Sequence, residues 1–241
     1  MKENILKTIS IYQPVFFPWL GFFHKLHFAD TWIVLDDCKA IKQSWMNRVY
    51  IKTNKDKSWL TVPVYFKHRS HQLVREMRID YQHRWVVKHI RTIKQYYGNA
   101  PYFDEIYEVF MKVLEKRPKF LIDLDMDGIL KIIDLLSINI KIKFSSKLDY
   151  INSDGTQRLI NIIKTVDGES YFCGMGSDSY LKPELFKKNL INLKYQQYKM
   201  FPYSQQGNGG FLEGLSILDT FANIGKQGIS EIFKKNDVLN Q

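Results

Sequence analysis

A segment rich in proline and aromatic residues lies between two short apolar runs near the start of the chain. Pro14 and Pro18 fix the backbone angle φ and lack an amide donor, so they favour a loop over a strand. Gly21 permits a close backbone approach or the start of a helix. The apolar runs at residues 8–11 and 31–35 have the length and composition of strands. The order strand, rigid loop, helix, strand is therefore predicted for this part of the chain.

This order gives the aromatic loop a defined place in the fold. In an open α/β sheet, the loop that follows a strand lies at the carboxyl end of that strand, where ligands bind. The same residues fit a second interpretation, in which the aromatic side chains form a small core that closes one end of the sheet. Both interpretations stay open on sequence alone, and the loop is a candidate ligand site.

The remainder of the chain predicts an α/β fold. Apolar residues recur at helical spacing in three segments, which form a helical insert at about residues 84–137. Strands and helices alternate on both sides of this insert, as is typical of a parallel sheet with helices on its faces. We therefore predict a single α/β domain over residues 1–241. It would have a parallel-sheet, Rossmann-like core, the helical insert and a small β element.

Two smaller predictions complete the fold. Short apolar stretches at residues 49–52, 59–62 and 76–80 predict the strands of the small β element. After a polar, glycine-rich loop, residues 211–223 are predicted to form a helix, and the tail from Lys226 is predicted to fray.

Composition limits the class of protein. An apolar content of 45% in 241 residues fits a globular protein with a substantial core. No apolar run reaches the ~20 residues that a membrane span needs. Cys38 and Cys173 are too few and too far apart for a disulfide framework. No secretory signal is recognised at the start, so a cytoplasmic location is expected.

The excess positive charge is confined to the first half of the chain. Residues 1–120 contain 21 Lys and Arg against 11 Asp and Glu, whereas residues 121–241 contain 14 of each. Such a block raises the local concentration of anions. We interpret it as the attraction of a phosphate-bearing ligand, and we favour a small ligand over a nucleic acid because no nucleic-acid-binding signature is present. General solubility is the alternative.

Three titratable side chains are candidates for a catalytic base. No phosphate-binding glycine motif and no zinc-site spacing is present. His24 follows the aromatic loop directly and can serve as a base, or it is a histidine on a helix surface. Asp36 and Asp37 follow the second strand, where carboxylates point into a ligand crevice, or they cap a loop.

Cationic and aromatic residues after the second strand suit a planar, phosphorylated ligand. Arg48 can bind phosphate through two parallel hydrogen bonds, and Lys52 lies nearby in sequence. Trp45 and Trp59 can stack on a ring or pack in the core. Further along the chain, a serine and an aspartate at helical spacing line a site or form an exposed face: Ser216 and Asp219.

Several motifs together resemble the WbqC-like family, which is found in gene clusters for bacterial surface polysaccharides. The resemblance runs nearly from end to end. It rests on a Gln-Pro step at Gln13, a Pro-Trp-Leu-Gly-Phe-Phe-x-Lys segment ending at Lys25, and a Leu-Asp-Asp step ending at Asp37. It also rests on a Lys-x-Ser-Trp-x-Asn-Arg segment ending at Arg48 and a Leu-Ser-Ile-Leu-Asp segment ending at Asp219. Tyr12 stands where the family pattern has histidine.

The resemblance implies a transferase that modifies an amino sugar, through acyl or aminoacyl (for example glycyl) transfer to the sugar amine. A nucleotide-linked sugar would be the substrate, no cofactor is identified, and the oligomeric state stays open. A non-catalytic sugar- or nucleotide-binding module and a transferase that uses aminoacyl-tRNA are the alternatives. By analogy, the first loop is similar to that of nucleotidylyltransferase-like folds.

This hypothesis assigns a role to each candidate residue. Asp36, Asp37 or His24 would be the base. The remaining residues would bind substrate: Gln13, Pro14, Trp19, Lys42, Trp45, Asn47, Arg48, Lys52, Tyr203, Gln205, Ser216 and Asp219.

Overall fold

The structure is a computed structural model that describes residues 6–41, 44–66, 72–153, 155–174 and 176–237. Lys42, a predicted phosphate-binding residue, lies outside these ranges. The predicted unit at the start of the chain is confirmed. It consists of strand β1 (Thr8–Tyr12), the aromatic loop, helix α1 (Leu20–His27) and strand β2 (Thr31–Val34).

The predicted parallel sheet is also confirmed. β1 lies in the middle of five parallel strands, with β2 on one side and β8 (Ser170–Cys173) on the other. β7 (Lys141–Phe144) pairs with β2, and β9 (Asn192–Tyr195) pairs with β8. The strand order β7-β2-β1-β8-β9 reverses direction between β1 and β8, as in a Rossmann-like core.

The chain between β2 and β7 forms the small β element and the helical insert. β3 (Arg48–Lys52) and β4 (Lys57–Thr61) form an antiparallel hairpin. A second antiparallel pair joins β5 (Val64–Tyr65), which the sequence did not predict, to β6 (Arg78–Ile79). The three predicted helices follow in order: α2 (Trp85–Tyr97), α3 (Phe103–Glu115) and α4 (Leu121–Leu136).

The last third differs from prediction in one helix. α5 (Gly155–Thr165) follows β7, and α6 (Pro183–Lys188) follows β8. α7 (Ile217–Asp237) begins six residues after its predicted start and includes the tail predicted to fray. Ser216 pairs with Trp19 in an isolated β-bridge, and its hydroxyl accepts a hydrogen bond from the Leu218 amide, so it ends the preceding loop and caps the helix. Gly225 adopts a positive φ and breaks the helical path.

The sheet separates two apolar cores because successive side chains of a strand point to opposite faces. Trp32 and Val34 of β2 pack with the aromatic loop, the insert and α7. Ile33 of the same strand packs on the other face with α5 and α6. No helix in the described parts of the chain is both long enough and apolar enough to cross a membrane.

Candidate functional site

A cleft opens where the strand order of the sheet reverses. The loop after β1 and the loop after β8 leave neighbouring strands in different directions, and such a point is the usual ligand site of an open α/β sheet. The cleft has a volume of about 350 Å3. Its lining combines side chains from both loops, α1 and the end of β9: Tyr12, Trp19, Phe22, Lys25, Ser177, Tyr180 and Gln196.

Lys25 is the chemically distinctive residue of this cleft. Only 4% of it is exposed, and its Nζ lies 3.8 Å from the centroid of the Tyr12 ring. No described carboxylate forms an ion pair with it. Burial lowers the pKa of Lys25 from 10.5 to about 8, because the charged form loses its hydration. The cleft therefore holds an amine that exchanges a proton near pH 8.

Close packing at the start of α1 positions the cleft walls. A β-carbon at Gly21 would lie 2.4 Å from the Trp19 ring, so only glycine lets the indole lie against the helix. The amide of Gln196 donates to the Gly21 carbonyl at 2.8 Å, which ties the end of β9 to the same turn. Trp19 also meets Tyr198 edge to face, with ring centroids 5.2 Å apart. These contacts fix the indole between α1 and the residues after β9.

The loop after β8 leaves open space on the other side of the cleft. A β-carbon at Gly174 or Gly176 would touch no protein atom within 4 Å. Protein packing therefore does not require glycine at either position, and the backbone there is accessible to a ligand. Ser177 accepts a hydrogen bond from the Tyr180 hydroxyl at 3.1 Å, and Tyr180 is 62% exposed at the rim.

An apolar cavity of about 320 Å3 adjoins the cleft and shares Tyr12, Trp19 and Phe22 with it. Trp45 also lines this cavity and is 50% exposed, which is unusual for so large an apolar ring. The cavity has the aromatic walls on which a nucleobase or a sugar ring stacks. The predicted ligand-binding residues Trp19 and Trp45 are thus brought together here, and Pro18 lines the same cavity.

Asp36 and Asp37 lie at the carboxyl end of β2, as predicted, but other protein groups occupy their carboxylates. Asp36 accepts hydrogen bonds from the Ser145 hydroxyl at 3.0 Å and from the amide and hydroxyl of Ser146 at 2.9 and 2.6 Å. Asp37 contacts Arg158 at 2.7 Å and the Tyr150 hydroxyl at 2.9 Å. This placement supports the interpretation of the pair as loop anchors.

The charge state of Asp37 agrees with that role. Burial acts to raise the pKa of Asp37, but hydrogen bonds from Ser145 and Tyr150 and the Arg158 charge outweigh it and lower the pKa. The carboxylate is therefore a poor proton acceptor at neutral pH. Arg158 also lines a further cavity, of about 310 Å3, which Gln13 shares.

His24 points away from the cleft into the core between α1 and α7. It is fully buried against Phe28, Tyr198 and Phe233. Its Nδ1 lies 3.1 Å from the Gln196 amide nitrogen, which donates to it. Burial, helped by the charge of His27, lowers the pKa of His24 to about 4. His24 is therefore neutral at physiological pH and is neither the surface histidine nor the cleft base that the sequence suggested.

The hairpin residues are held by protein contacts rather than aimed at the cleft. Asn47 is buried and donates to the Val62 carbonyl at 2.9 Å. The Arg48 guanidinium lies 4.1 Å above the Trp59 ring, and Lys52 is buried and donates to the Gly210 carbonyl at 2.6 Å. In the aromatic loop, Gln13 donates to Cys38 Sγ at 2.8 Å, and Pro14 is buried.

The four C-terminal candidates belong to a buried polar cluster. Asp219 accepts hydrogen bonds from the Tyr203 hydroxyl at 2.6 Å and the Gln205 amide at 3.1 Å. Ser216 donates to the Phe17 carbonyl at 2.7 Å. Burial raises the pKa of Asp219 to about 6, although these partners and the Lys52 charge act to lower it. The cluster ties the loop before α7 to the hairpin and the aromatic loop.

The site that the structure assembles was therefore only partly predicted. Sequence reasoning identified the aromatic loop but did not select Lys25, Tyr12, Ser177 or Tyr180 as site residues. The available signal was a lysine one helical turn after Gly21, in a segment rich in leucine and phenylalanine. No cluster of three or more described His, Cys, Asp or Glu side chains has metal-binding geometry.

Comparison with known proteins places the chain in a family. The profile of the WbqC-like protein family matches residues 13–231. An uncharacterized protein of Mycobacterium tuberculosis is 32% identical over 224 residues, which cover 92% of this chain and 96% of that protein. No solved structure is significantly similar to the chain. The motifs that suggested the resemblance are thus supported over most of the chain, which belongs to the WbqC-like protein family.

Proposed function

We propose that this protein is a transferase that acylates or aminoacylates (for example glycylates) the amine of a nucleotide-linked amino sugar in the synthesis of bacterial surface polysaccharide. The observation that carries the proposal is Lys25, a buried amine in the cleft at the reversal point of the sheet, with which no described carboxylate forms an ion pair. A sugar amine is protonated at neutral pH and must lose a proton before it can attack an acyl group. A base with a pKa near the working pH meets that need.

The reaction can be written with Lys25 as the base. Neutral Lys25 removes one proton from the sugar ammonium group. The free amine attacks the acyl carbonyl carbon, a carbon–nitrogen bond forms, and the bond to the donor's leaving group breaks. The leaving group departs with the electron pair and takes the second amine proton.

The two adjoining cavities suit the two parts of a nucleotide sugar. The apolar cavity between Trp19 and Trp45 offers faces for a planar or sugar ring. The loop at Gly174 and Gly176 offers accessible backbone, to which a diphosphate can hydrogen-bond. Tyr12 lies at the junction because it lines both cavities and covers Lys25.

The test is product formation followed by mass spectrometry. The purified protein is incubated with dTDP- and UDP-linked amino sugars and, in turn, with an acyl thioester, an acyl adenylate or an aminoacyl-tRNA. We expect an amide product from one pair and a rate that rises with pH and is half-maximal near pH 8. Lys25→Met should reduce the rate ~100-fold or more, whereas Lys187→Met, on the exposed surface of α6, should not.

Two results would contradict the proposal. If a nucleotide sugar binds and no donor gives product, the protein is a binding module, the alternative function. If Lys25→Met retains the rate and its pH dependence, the base is another group.

A further inference from the structure

A second groove lies on the surface of α2, in the helical insert. Its volume is about 650 Å3, and none of its lining residues lines the cleft. Residues of α2, of the segment before it and of the turn before α4 contribute its charged and aromatic lining: Tyr81, His83, Arg84, Lys88, Arg91 and Arg117.

In the described parts of the chain, no acidic side chain pairs with the cations of this groove. Arg84, Lys88, Arg91 and Arg117 are all exposed, and no Asp or Glu lines the groove. Among the described residues, none of these four forms an ion pair. Arg84 directly precedes α2, and Lys88 and Arg91 follow four and seven residues later on the helix, so the three form a row over about 10 Å.

An aromatic surface adjoins the row of charges. Tyr81 stacks on Trp85 with ring centroids 5.7 Å apart and planes inclined by 24°. The Arg117 guanidinium lies 5.0 Å from the Tyr81 ring. A cationic groove beside aromatic and guanidinium planes is how proteins bind single-stranded nucleic acid without reading its sequence.

We propose that the α2 groove binds a single-stranded nucleic acid through its phosphodiester backbone, with a base stacked beside Tyr81 and Arg117. A single small phosphate would contact only one or two of the cations, whereas a strand presents phosphates in succession along the row. A flat membrane surface cannot enter a concave groove. This inference is independent of the proposed transferase, because the groove and the cleft share no lining residue.

The test is fluorescence anisotropy with a labelled 20-nucleotide single-stranded RNA and the matching DNA, over a range of salt concentrations. The variant Arg84→Gln/Lys88→Gln/Arg91→Gln removes the row. The control Lys187→Gln/Lys188→Gln/Lys234→Gln removes the same charge from exposed positions on α6 and α7. The melting temperature of each variant confirms that it is folded.

We expect the groove variant to bind at least tenfold more weakly and the control to stay within twofold of wild type. The slope of log affinity against log salt should fall by about 2, since each lost contact to a single strand removes roughly 0.7. Preference for RNA or DNA identifies the natural source. Equal weakening in both variants would show that the strand does not bind in the α2 groove. Tighter binding of a polyglutamate peptide than of either nucleic acid would show that the ligand is not a nucleic acid.

Discussion

The ammonium nitrogen of Lys25 lies 3.8 Å from the centroid of the Tyr12 ring, in a cleft where no described carboxylate pairs with it. The ring attracts the cation through its negative face, which offsets part of the desolvation cost. Because that offset is partial, the pKa stays below its ordinary value. The pair therefore joins the strand before the aromatic loop to the helix after it and leaves a proton-exchanging group in the cleft.

The first prediction concerns the pH dependence of stability that Lys25 causes. Burial lowers its pKa from 10.5 in the unfolded chain to about 8 in the fold, so the unfolded state binds more protons between these values. The free energy of unfolding contributed by Lys25 must then rise from about pH 8 to about pH 10.5, by roughly 3 kcal/mol at most. Below pH 8 the full penalty of burying the charge is present.

Urea unfolding of wild type and Lys25→Met at pH 7 and pH 10 measures this effect. At pH 7 Lys25→Met should be more stable than wild type. The difference between their free energies of unfolding should be smaller at pH 10. An advantage that does not change with pH would show that the amine keeps its ordinary pKa in the fold.

The second prediction concerns Asp37, which anchors the loop after β2. Asp37→Asn leaves Arg158 without its counter-charge and should destabilise the fold by about 1–3 kcal/mol at pH 7. The folded pKa of Asp37 is lowered, so its contribution is present at neutral pH and is lost as the pH falls through the acidic range. The two proteins should therefore approach each other in urea stability as the pH falls below the ordinary pKa of 3.8. In the transferase assay Asp37→Asn should stay within tenfold of wild type, whereas a catalytic base at this position would give a far larger loss.

The third prediction concerns the buried carboxyl of Asp219. Burial raises its pKa from 3.8 to about 6, so the folded state binds more protons than the unfolded state between these values. Its contribution to stability is therefore fully present below about pH 4 and is lost as the pH rises through 6. Asp219→Asn should remove this dependence, so the difference in melting temperature between variant and wild type should change between pH 4.5 and pH 7. A constant difference would mean that Asp219 is ionised throughout.

The fourth prediction concerns ring stacking in the apolar cavity. Trp45→Ala should weaken the affinity for a dTDP- or UDP-linked amino sugar about tenfold, the equivalent of ~1.4 kcal/mol. Its effect on stability should be small, since half of the side chain is already exposed. Tyr65→Ala is the matched control, because Tyr65 is similarly exposed, at 45%, and lines neither the cavity nor the cleft. If calorimetric titration shows an equal loss of affinity in both variants, the ligand does not stack in the apolar cavity.

Local sequence signals were sufficient where the structure depends on neighbours in the chain. Pro14, Pro18 and Gly21 act on their own backbone and that of the next residues, so the strand-loop-helix unit was predicted correctly. The parallel sheet followed from the alternation of strands and helices. The start of α7 was predicted wrongly because Ser216 bridges to Trp19, nearly two hundred residues away in sequence, before the helix begins.

The composition of the site depended on contacts that no local pattern contains. Asp36 was expected in an open crevice, but the pairing of β2 with β7 brings Ser145 and Ser146 to its carboxylate. Lys25 and Ser177 meet in one cleft only because β1 pairs with β8. The sequence by itself determined which segments are strands, helices and turns, since those preferences act over a few residues. Only the tertiary structure decided which polar groups face a ligand and which are satisfied by the protein, because that depends on which strands lie side by side and on the desolvation that follows.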